Sequence, residues 1–77
     1  MANTLNLEAN TGIAYLRPVH IEMISMALKR NGGFGLKPAW VEEGTNAVIV
    51  FDGLEDDQAI SLANEAVNGS GIVVTVA

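Results

Sequence analysis

Residues 36–52 read LKPAWVEEGTNAVIVFD, two extended runs joined by a glycine turn. The second run decides the fold. A strand sends successive side chains to opposite faces, so Ala47, Ile49 and Phe51 share one face and Val48 and Val50 the other. Both sets are apolar, which is the pattern of a central strand covered on both sides. Gly44-Thr45 supplies a tight hairpin turn with glycine first. Pro38 has no N–H to give a neighbouring strand, so residues 36–43 are expected at an edge of the sheet.

Working outward from this hairpin, Arg17-Pro18 marks a helix start, because a proline at the first helical position loses nothing the helix uses. Ile21, Ile24 and Leu28 then recur along one helical face, with Val19, Met23 and Ala27 as an adjoining ridge expected to be buried. Met26 falls off that ridge and is expected at the surface. Lys29 and Arg30 suit the negative end of the helix dipole. Asn31-Gly32-Gly33 ends the helix. On the other side of the hairpin, Asp52 or Gly53 opens a second helix, with Glu55, Asp56 and Asp57 crowding its positive first turn. Ile60, Ala63 and Val67 give its apolar line, and Asn68-Gly69 closes it. Residues 72–76 form a last strand.

Residues 13–16 are the first apolar run and are expected to be the first strand, with Tyr15 in the core. Before them Leu5, Leu7 and Ala9 alternate with polar neighbours, suggesting an arm or a short extra strand, and residues 9–12 read as a turn. The expected fold is therefore a single α+β domain over residues 1–77. It is a ferredoxin-like βαββαβ arrangement, a four-stranded antiparallel sheet with two helices on one face and residues 1–10 added to it.

Composition narrows the function. The 77 residues hold no cysteine and one histidine, so disulfides, thiolate metal sites and cysteine nucleophiles are excluded together. Small domains are usually reinforced by disulfides, a metal or oligomerisation, which leaves oligomerisation or a partner. Nine acidic residues against four basic ones, a net charge of −5, repel nucleic-acid phosphates, so no direct nucleic-acid binding is expected. The longest wholly apolar run, residues 47–51, is far short of the ~20 residues of a membrane helix. No secretory leader is recognisable, and a soluble cytoplasmic protein is expected.

No motif carries a specific chemistry. Gly32-Gly33-Phe34-Gly35 leaves a helix and enters a strand, the reverse of a phosphate-binding loop. The acidic run from Asp52 to Asp57 has leucine at position 54, where a calcium loop needs a ligand. His20 and Glu22 lie on different sides of their helix, and His20 reads as a helix-start residue. Asn68-Gly69-Ser70 matches a glycosylation acceptor but reads as a helix stop.

The expectation is a non-enzymatic interaction module without cofactor or metal. It would be a small accessory inhibitor or adaptor of bacterial or viral origin that docks on a larger protein. A homodimer is expected through the second apolar face, made by Val48 and Val50 or by Ile49 and Phe51, according to which set the helices cover. Trp40, Glu42, Glu43, Asp52, Glu55, Asp56 and Asp57 are the candidate partner-binding residues, Trp40 because aromatics are enriched at binding hot spots. Two other readings are an acidic mimic of nucleic acid and a small-molecule-sensing regulatory domain.

Overall fold

The polar-looking N-terminus is a full strand. In the computed structural model, which describes residues 3–9 and 15–76, Leu5, Leu7 and Ala9 lie on one face of β1 (Asn3–Ala9), and all three are buried. The chain continues through α1 (Pro18–Arg30), β2 (Phe34–Glu42), β3 (Asn46–Asp52), α2 (Asp56–Ala66) and β4 (Ile72–Val76). The strands form one antiparallel sheet in the order β2-β3-β1-β4. The α+β class, the four-stranded sheet, the two helices and the edge position of the Pro38 strand are thus as expected.

One strand was misplaced. Ile13 and Ala14 lie outside the described residues, while Tyr15 and Leu16 belong to no strand. Tyr15, expected in the core, is 74% exposed. The alternating segment is not an addition to the sheet but its first strand, lying between β3 and β4. Residues 15–17 instead form the approach to α1. Leu16 is buried and pins that approach down, its N–H donating to the Gly44 carbonyl at 2.9 Å.

The core lies between the sheet and the helices. Leu5, Leu7, Ala47, Ile49, Phe51, Ile72 and Val74 from alternate strand positions pack with Ile21, Ile24 and Leu28 of α1 and Ala59 and Ala63 of α2. All these residues share one cluster, so both helices lie on the same face of the sheet. The second ridge of α1 is not buried as expected. Val19 is 50% and Met23 42% exposed, and Ala27 is half-buried.

Local chemistry explains the helix ends. Arg17 is the extended residue before α1, and its N–H donates to Nδ1 of His20 at 3.1 Å. An arginine side chain has no acceptor to return the favour, so His20 closes half of a reciprocal cap. The helix exit turns tightly at Gly33, whose N–H reaches the Leu28 carbonyl at 2.8 Å. A side chain there would put its Cβ 2.8 Å from that carbonyl oxygen. The second helix begins at Asp56, later than expected. Gly53, at φ +88°, turns the chain out of β3 first, and Glu55 takes the cap position.

Two consequences can be measured by chemical denaturation. Phe51→Ala empties the centre of the core and is expected to cost about 3–5 kcal/mol. That is a large share of the roughly 5–15 kcal/mol available to a domain. Gly53→Ala must adopt a left-handed backbone and bring Cβ within 2.6 Å of the Gly32 carbonyl oxygen. A loss greater than about 1 kcal/mol is expected. A neutral result at Gly53 would mean that the β3–α2 turn readily takes another path.

Candidate functional site

The face of the sheet away from the helices has no covering layer among the described residues. Its rows follow from the strand register. Across the sheet from β2, Lys37, Val50 and Thr4 form one row. Ala39, Val48, Asn6 and Thr75 form the next, and Glu42, Asn46, Glu8 and Val73 the third. Val48 and Val50 are half-buried, and Val73 is 51% exposed. β-branched and small neutral side chains therefore fill the middle, and charge is confined to Lys37 at one end and Glu42 and Glu8 at the other.

This settles which set of β3 side chains is available. Ile49 and Phe51 are completely buried under the helices. Of the four residues expected to mediate self-association, only Val48 and Val50 face outward on the open side.

The candidate acidic residues do not come together. Glu42 and Glu43 stand at the β2–β3 hairpin, while Asp52 ends β3 and Glu55, Asp56 and Asp57 begin α2. The length of β3, about 20 Å for six residue steps, separates the two groups. Neighbours in sequence on either side of β3 have been sent to opposite ends of the sheet. The hairpin end gains an acid that sequence order does not reveal, since Glu8 faces Asn46 across β1 and β3.

Trp40 lies on the helix side of the edge strand, half-buried against the core. With Pro18, Ile21, Pro38 and Ala39 it lines a shallow hollow of about 210 Å³. A larger groove of about 400 Å³ runs between the outer surfaces of the helices. Met23, Met26, Ala27, Leu62 and Ala66 line it, with Arg30 and Glu65 at its rim. Met26 is exposed there, as its position on the helix predicts. Met23, misread as core, joins it.

Among the described residues, no group of three or more histidine, cysteine or acidic side chains is placed to hold a metal ion. Nor, among them, is any helix long and apolar enough to cross a membrane. The sites the geometry does offer are surfaces: the open sheet face, the methionine-lined groove and the Trp40 hollow. No family model matches the chain, and no curated protein matches it significantly.

Proposed function

We propose that this chain is a protein-interaction module that acts by contact and not by catalysis, and that it self-associates through the open face of its sheet. The carrying observation is the middle of that face, uncovered among the described residues, where Val48 stands in a row with Ala39, Asn6 and Thr75 and Val50 lies between Thr4 and the edge residue Lys37. Apolar surface of this kind is removed from water when a second surface packs on it. A sheet packed face to face on a second copy is the simplest closure for a domain this small.

The proposal extends to architecture and role. The order β2-β3-β1-β4, with the leading strand of each strand–helix–strand unit in the middle, supports a ferredoxin-like arrangement. With the sheet face occupied by a second copy, the helix side remains available. There the methionine-lined groove and the half-buried Trp40 would meet the larger protein that the module inhibits or recruits. Methionine side chains adapt to a partner's shape, which suits such a contact.

The test is a pair of aspartate substitutions read by light scattering and circular dichroism across a concentration series. Val48→Asp should keep the native spectrum and a cooperative melt while reducing the dimer to monomer. Phe51→Asp, with its carboxylate placed in the core, should unfold. A folded Val48→Asp with the unaltered mass of the parent dimer would sink the proposal.

A further inference from the structure

The charges on the open face are ordered. Lys37 and Glu42 both belong to β2 and stand one row to either side of Ala39, opposite Val50 and Asn46 respectively. The register shift between Trp40 and Glu42 creates this placement. Two residues of β2 there span one step of β3, which returns Glu42 to the open face instead of the helix face. The two rows are four residues of β3 apart, about 14 Å, too far for Lys37 and Glu42 to pair within one chain.

A face that is basic at one end, neutral in the middle and acidic at the other is complementary to itself under only one kind of two-fold axis. An axis running across the strands reverses the order of the rows and keeps β2 above β2. It lays Lys37 of one copy over Glu42 of the other, and does so twice, with the Ala39–Val48 row packed on its own counterpart. An axis running along the strands keeps the row order and carries β2 over β4. Lys37 would then lie over the row that holds Lys37 itself and no acid, and Glu42 would lie over Val73, so neither would meet an opposite charge.

We infer that the second copy seats on the open sheet face about an axis crossing the strands, in a register fixed by two reciprocal Lys37–Glu42 pairs. This rests on the self-association proposed above and adds its geometry. The pairs lie towards the β2 rim of the interface, where charges select orientation and register more than they add affinity. They are screened by salt.

Charge reversal tests the register. Lys37→Glu and Glu42→Lys each turn both attractive pairs into repulsive ones. At low ionic strength each should weaken the dimer on the order of ten-fold in sedimentation or light scattering. The double variant Lys37→Glu/Glu42→Lys re-forms both pairs with the signs exchanged and should recover the parent affinity. Both positions are exposed, so all three variants should keep the parent circular dichroism spectrum and melting behaviour. A double variant as weak as the singles, with Val48→Asp still monomeric, overturns the register and leaves the sheet-face dimer standing. A parent chain that is monomeric at every concentration, or a Val48→Asp variant of unaltered mass, overturns both.

Discussion

Both helices pack on one face of the four-stranded sheet, and the strand pleat decides what the other face holds. In β1 and β3 every second side chain enters the core, from Leu5 and Leu7 to Ile49 and Phe51. The intervening positions are sent to the uncovered side whatever their chemistry. β1 answers with Thr4, Asn6 and Glu8, which tolerate water. β3 answers with Val48 and Val50, which do not gain from it. Two adjacent central strands thus solve the same constraint differently, and the difference locates the functional question on this face.

That difference also explains how much of the fold could be read in advance. The helix α1 was legible from Ile21, Ile24 and Leu28, and the edge strand from Pro38. A hairpin was legible from Gly44, although its turn is closed from the Thr45 N–H to the Glu42 carbonyl and places Gly44 after Glu43 instead of first. The first strand was not. A search for apolar runs favours residues 13–16 over the alternating Leu5, Leu7 and Ala9, because only one face of β1 is apolar. Alternation is the correct signature of a half-covered strand. The doubly apolar β3 is the exception, its outer face carrying Val48 and Val50 where β1 carries Thr4 and Asn6. Tyr15 and Met23 failed for a related cause. Apolar character alone does not say that a neighbouring element exists to cover a residue.

The candidate surface was legible only in outline. Val48 and Val50 could be named with Ile49 and Phe51 as alternatives, and packing was needed to choose between the pairs. Nearness in sequence suggests one acidic group, but β3 runs between its members and carries them to opposite ends. Glu8 was invisible for the complementary reason. Its proximity to Asn46 and Glu42 depends on pairings across three strands, which no local pattern encodes.

The edge formed by β2 carries a further consequence. Its pairing with β3 shifts register twice, between Phe34 and Lys37 and again between Trp40 and Glu42, and Pro38 lies between the two shifts. Irregular ladders and an edge proline deprive an incoming strand of the even row of hydrogen-bonding groups it would need. Sideways growth into a continuous ribbon is thereby discouraged at the β2 flank. A sheet whose β2 edge resists lengthening is protected on that side from strand-by-strand growth into a fibre.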